Sequence, residues 1–208
     1  MNSLFDGLPQ TVTVCGEELP IVTDFRTGII FEELVKDEEM SDEDKIATAL
    51  VLYYGDDVTF VSLEAINEAI QAILWFYQCG DTNHQKDSEK VDTDRPAFSY
   101  DHDAGFIYQA FMNAYNIDLA NDYLHWWQFR ALFTSLPEDC NFMKIVGYRV
   151  MKIPQKASKQ QKEYYQKMKK LYALPLPEAQ KKQNDELTQA LMTGENIQEV
   201  LAKQISEG

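Results

Sequence analysis

The chain has 208 residues, 45% hydrophobic and 12% aromatic, enough to bury one good core or two small ones and too apolar for a disordered protein. Its net charge of −15 is concentrated in residues 1–103, which carry 23 acids and 6 bases, whereas residues 152–208 carry 7 and 10; phosphate repulsion from so acidic a body argues against a general nucleic-acid binder. No run approaches the roughly 18 apolar residues of a membrane span, MNSLFDGLPQ lacks the basic and apolar regions of a leader, and Cys15, Cys79 and Cys140 are too scattered for a disulfide framework or a structural zinc site. A soluble cytosolic protein with free thiols is the expectation.

In chain order, TVTVCGEELPIVTDF reads as a hairpin, with Val12 and Val14 alternating, a turn at Gly16-Glu17-Glu18, then Ile21 and Val22. Thr23 or Asp24 caps a first helix bearing Phe25, Ile30, Phe31 and Leu34. Ser41 with Asp44 resembles a capping box for a second, which places Ile46, Ala49, Leu50 and Tyr53 on one stripe and stops at Gly55. The third follows Ser62, spaces Ile66, Ala69, Ile70, Ile73, Leu74 and Tyr77 helically, and stops at Gly80. GDTNHQKDSEKVDTDRP, from Gly80 to Pro96, has one aliphatic residue and reads as a flexible loop in which His84 stands alone. Five helices are expected beyond it, at about 102–115, 120–134, 138–151, 158–172 and 178–205, the last broken at Gly194. Pro137 and Pro177 fall where a first helical turn tolerates proline. The fold class is mainly α, a multi-helix bundle with an N-terminal β-hairpin. Its segments are 1–79, the hairpin and three helices; 80–97, the polar loop; 98–154, an aromatic-rich helical core; and 155–208, a basic C-terminal helical extension.

Two polar clusters invite a catalytic or metal-binding reading. Asp101-His102-Asp103 precedes Phe106, Ile107, Ala110, Phe111 and Tyr115, so the N-cap and first turn of a helix account for both acids. A metal site would need three or four converging ligands, and the sequence offers only His102, His125 and acids of unknown placement. LHWWQFRALF is apolar almost all round, which puts it in a core and makes His125 and Arg130 polar groups satisfied internally. The alternative for this aromatic stripe, with Trp126 and Phe133, is a partner groove. No Gly-rich phosphate loop and no Ser/His/Asp or Cys/His pattern is found.

TDFRTGIIFEEL, LWFYQCG, YDHDAGFIYQAFMNAYNIDL, LHWWQFRALF, IVGYR and YYQKMKKLYALP occur in an order that resembles the phage protein family called gene product fifteen, from Leu4 to about Pro175. That resemblance implies a tail-assembly chaperone, encoded just ahead of the tape measure protein in siphophages and prophages. It would coat that long helical client until tail-tube subunits enclose it. It implies no catalytic residue, cofactor or metal, and places the protein in the host cytoplasm rather than the mature virion. The expected partners are the tape measure protein and the tail-tube protein, with homo-oligomers an option and neither nucleic acid nor membrane. A virion structural or tail-completion protein is the rival reading, followed by a metal-dependent enzyme or a nucleic-acid binder.

The client surface is expected in the C-terminal extension. Tyr164, Tyr165, Met168, Leu171 and Tyr172 form one helical stripe, and Leu187 with Leu191 forms a second. Both are thin for core helices, and Met with Tyr suits a surface that adapts to several similar client segments. KQQKEYYQKMKKLY, with five lysines and three tyrosines, could also engage nucleic acid, although a solvated helix face explains it. The alternative for both stripes is packing on the body.

Overall fold

A computed structural model of the chain describes residues 5–81 and 96–175. It divides into two compact units, Met1–Lys152 and Ile153–Gly208.

The first unit opens with an antiparallel hairpin of β1 (Thr11–Val14) and β2 (Glu17–Pro20), in the register Val14↔Glu17 and Val12↔Leu19. Alternation turns Val12 and Val14 inward and Thr11 and Thr13 outward. The turn is Cys15-Gly16, not Gly16-Glu17-Glu18. Both residues have positive φ, 51° and 81°, the conformation that lets a two-residue loop follow the twist of the strands. Ile21 and Val22 lie past β2, although the Ile21 amide still donates to the Gln10 carbonyl at 3.1 Å.

Three helices follow as their spacing predicts. They are α1 (Phe25–Lys36), capped by Asp24, α2 (Asp42–Tyr54), capped by Ser41, and α3 (Leu63–Tyr77), capped by Ser62. Further along the chain come α4 (Ala104–Tyr115), α5 (Trp126–Thr134) and α6 (Asn141–Val150). The helix expected at 120–134 is shorter at its start because local polar bonds win over helix between α4 and α5. Asn116 turns left-handed at φ 55°, the Asp118 carboxylate accepts the Ala120 amide at 3.0 Å, and the Asp122 carboxylate accepts the Asp118 amide at 2.9 Å. The helix expected at 138–151 begins only after Cys140, whose Sγ caps the Met143 amide, so Pro137 lies in the preceding turn rather than in a first helical turn.

One core runs through β1 and α1 to α6. Val12, Phe31, Tyr53 and Phe76 meet Phe111, Trp126, Phe129 and Phe142, drawing on both sides of the Gly80–Pro96 segment. Phe129 is its hub, stacked on Phe25 (4.8 Å), Phe111 (5.1 Å), Phe133 (5.6 Å) and Trp126 (5.9 Å). Each such ring taken from water contributes roughly 1.5–3 kcal/mol, so this cluster dominates the unit's stability.

The second unit contributes α7 (Lys159–Leu171). Ser158 and Gln161 close a capping box at its start, and Lys169 and Lys170 oppose the dipole at its end. The helix expected at 178–205, with Pro177 and Gly194, lies outside the described residues, as does His84.

Candidate protein-docking surface

Asp103, from the first of the two polar clusters, occupies the N-cap position of α4, yet its side chain caps nothing. Its carboxylate is 1% exposed and grips Arg149 of α6 through two bonds, 2.6 Å from Nη1 and 2.8 Å from Nη2, while the Ser99 amide donates at 3.0 Å. Capping therefore does not explain this acid. A salt bridge that clamps the start of α4 to the end of α6 does. Burial alone would raise the carboxyl's pKa, but the Arg149 guanidinium and the Ser99 amide outweigh it and hold it below the usual range. Asp101 and His102 stay at the surface, 3.7 Å apart, with His102 Nδ1 3.3 Å from Ser99 Oγ.

His125 is buried and fully used as the cap of α5. Nδ1 accepts the Trp127 amide at 3.0 Å, so Nε2 must carry the proton it donates to the Pro9 carbonyl at 2.9 Å. Burial lowers its pKa against the smaller opposing effect of the Pro9 bond, which favours the neutral ring. Two backbone bonds, Phe25 N to Leu124 O at 2.9 Å and Trp126 N to Thr23 O at 2.8 Å, join the starts of α1 and α5 here. Neither nitrogen of His125 is left for a ligand. Among the described residues, no group of three His, Cys, Asp or Glu is placed to hold a metal.

The tryptophans belong to the core, not to an open groove. Trp126 and Trp127 donate their indole N–H groups to the Tyr77 and Phe76 carbonyls, both at 2.8 Å; the Tyr77 carbonyl gains a partner that α3 lacks within its own helix, and the Phe76 carbonyl a second one beside the Cys79 amide at 3.0 Å. Trp126 and Phe129 are fully buried, and Arg130 stacks its guanidinium over the Trp126 ring at 5.5 Å.

α7 presents the opposite picture. It carries Tyr164, Tyr165, Met168 and Leu171, with Tyr172 at its C-cap, at spacings that put Tyr165, Met168 and Tyr172 one above another. None of its residues is buried, and Tyr164 and Leu171 are 49% and 63% exposed. The rings of Tyr164 and Tyr165 meet edge to face at 5.7 Å. The structure thus gathers five of the seven expected docking residues on one short helix; Leu187 and Leu191 lie outside the described residues.

A family model described as Bacteriophage Gp15 protein matches residues 4–174. The chain belongs to that family. Gp15 sequence covers the hairpin, all seven described helices and the stripe of α7, in agreement with the span over which the motifs carried the resemblance. No curated protein and no solved structure matches the chain. Among the described residues of this Gp15 chain, no helix is long and apolar enough to cross a membrane.

Two features of the Gp15 core escape sequence reasoning. The Asp103–Arg149 pair joins residues 46 apart, and only the isolated arginine in IVGYR hints at it. Gly28 reads as an ordinary helical residue, yet a Cβ there would overlap the Trp126 ring, so this glycine lets α1 approach α5.

Proposed function

We propose that this chain is a non-enzymatic tail-assembly chaperone that holds the tape measure protein until tail-tube subunits enclose it. One observation carries the reading: α7 is amphipathic, yet buries none of its residues. A tyrosine- and methionine-bearing stripe of this kind accepts an amphipathic client helix laid along it, with side chains adaptable enough to serve several similar client segments. Membership of a bacteriophage family supports a role in phage morphogenesis. Five lysines flank the stripe, and the body is strongly acidic, which keeps a complex with a sticky client in solution. Each contact is weak, so tube subunits can displace the chaperone as they polymerise. On this reading the protein acts in the host cytoplasm and is left out of the finished particle.

The test keeps the chain whole. Tyr164→Ser, Met168→Ser and Leu171→Ser are combined, and the variant is co-expressed with the phage's tape measure protein. The client should move from the soluble to the pelleted fraction while the variant keeps its helical circular dichroism and melting temperature. Full solubility of the client with the triple variant, or stoichiometric presence of this protein in purified virions, would sink the proposal.

A further inference from the structure

The hairpin has a second side. Because Cys15-Gly16 is a two-residue loop, Val14 and Glu17 form a hydrogen-bonded pair, and such pairs recur at every second residue. The next are Val12 with Leu19 and Gln10 with Ile21, the last seen directly in the 3.1 Å bond from the Ile21 amide. Parity then turns the N–H and C=O of Thr11 and Thr13 away from β2. Among the described residues no backbone bond to any element outside the hairpin uses them. Beside this edge runs a groove of about 560 Å³, walled by Thr11 and Thr13 on one flank and by Glu68, Gln71, Ala72 and Trp75 of α3 on the other.

From this geometry we infer that the outer edge of β1 is a strand acceptor, taking up an extended partner segment rich in lysine or arginine as the third strand of the sheet. Four groups of the right alternation, on Thr11 and Thr13, supply the main-chain bonds. Ala72 and Trp75 give the segment's apolar side chains a surface to cover. Charge selects the occupant: β1, β2 and α3 carry Glu17, Glu18, Glu64 and Glu68 and not one lysine or arginine. All four glutamates are exposed, and Glu68 reaches across to accept the Cys15 amide at 2.6 Å, which fixes its carboxylate beside the hairpin. A second copy of this chain would bring its own Glu17, Glu18, Glu64 and Glu68 close to the same acids, and repulsion between the two like-charged surfaces opposes that pairing. The acceptor edge lies in the first unit and is independent of the client reading of α7.

The probe is a short synthetic peptide alternating lysine and valine, added to the isotope-labelled full-length chain. Amide resonances of Thr11 and Thr13 should shift saturably and their hydrogen exchange should slow. Methylating the peptide's amide nitrogens at alternate positions, or replacing its lysines by glutamates, should weaken binding about tenfold or more, the equivalent of one or two lost hydrogen bonds or charge contacts. Thr13→Pro, which removes an outward N–H at a position where an edge strand tolerates proline, should do the same. If that variant fails to fold, the methylated peptide tests the same bonds on the intact protein. Unshifted Thr11 and Thr13 at saturating peptide, equal binding of the methylated or glutamate peptides, or protection of these amides that grows with protein concentration alone would each overturn the inference, the last by showing a second copy in the groove.

Discussion

Tyr53 buries its phenol completely and, among the described residues, gives its hydroxyl no hydrogen-bond partner. Burial pushes that phenol well above its ordinary pKa, so it stays neutral, and an unpartnered hydroxyl in a core costs roughly 1–3 kcal/mol. The ring itself is well placed, edge-on to Phe31 at 5.4 Å and to Phe76 at 6.1 Å. Tyr53→Phe keeps those contacts and removes the orphan oxygen. Denaturant titration should show unchanged stability or a gain of about 1 kcal/mol, and a loss larger than about 1 kcal/mol would mean that the hydroxyl has a partner after all. His125 makes a pH-dependent contribution whose sign follows from its burial. Its folded pKa lies below the ordinary value of 6.5, so the unfolded chain binds the proton first, and stability is fully present above about 6.5 and declines as pH falls below it. Asp103, also depressed, adds its loss only in the more acidic range, starting near its ordinary value of 3.8. Melting temperature should therefore fall as the pH is lowered below about 6.5. His125→Asn, which retains an acceptor for the Trp127 amide but cannot titrate, should flatten that slope while lowering the plateau by about 1 kcal/mol for the lost Pro9 bond. An undiminished slope in the variant would assign the effect to another group.

At the level of elements, α1 and α5 show how one side chain's absence sets a packing distance. Gly28 sits where a methyl group would enter the Trp126 ring, whose indole is already pinned to the Tyr77 carbonyl and stacked on Tyr77 at 5.2 Å. The ring cannot swing aside without giving up both. Gly28→Ala should cost about 2–3 kcal/mol by thermal or chemical denaturation even though alanine is the better helix former, and a neutral or stabilised variant would show that the α1–α5 approach is looser than this. The same pair of helices shows what the sequence makes legible. Periodicity finds α1, α2 and α3 because capping serines or Asp24, apolar stripes and stop signals agree there. It extends α5 back to residue 120 because NIDLANDYLH contains no proline or glycine to halt a helix. The side chains of Asp118 and Asp122 break it by binding nearby amides, a competition that spacing does not reveal. The Asp101-His102-Asp103 cluster is legible as a helix start but not as an ion pair, since Arg149 lies far off in sequence and reaches Asp103 only after α4 and α6 pack.

Over the whole first unit, the residues before Gly80 and after Pro96 build one core rather than two. Phe25 of α1 stacks on Phe129 of α5 and Phe76 of α3 lies against Trp127, with Phe31 of α1 and Tyr53 of α2 in the same cluster, and Phe129 in turn rests on Phe111 of α4. Polar bonds cross the same divide: Trp126 and Trp127 to the end of α3, His125 to Pro9, and Arg26 to the Leu119 carbonyl at 2.6 Å. Each half would expose aromatic surface once the other is removed, because Trp126 and Trp127 cover the end of α3 and Phe25 of α1 covers Phe129. Joining the halves through the chain lowers only the entropy of bringing them together, a cost that grows slowly with the length of the connection. A protease site engineered between residues 82 and 95 should therefore be cleavable without separating the products. The two fragments should co-elute at the mass of the intact chain in size-exclusion chromatography and keep its helical circular dichroism, with melting made concentration-dependent by the added bimolecular step. Two fragments that elute apart, each still folded, would establish independent domains and contradict a shared core. Two that elute apart and unfolded would show that covalent linkage, not packing alone, holds the aromatic cluster together.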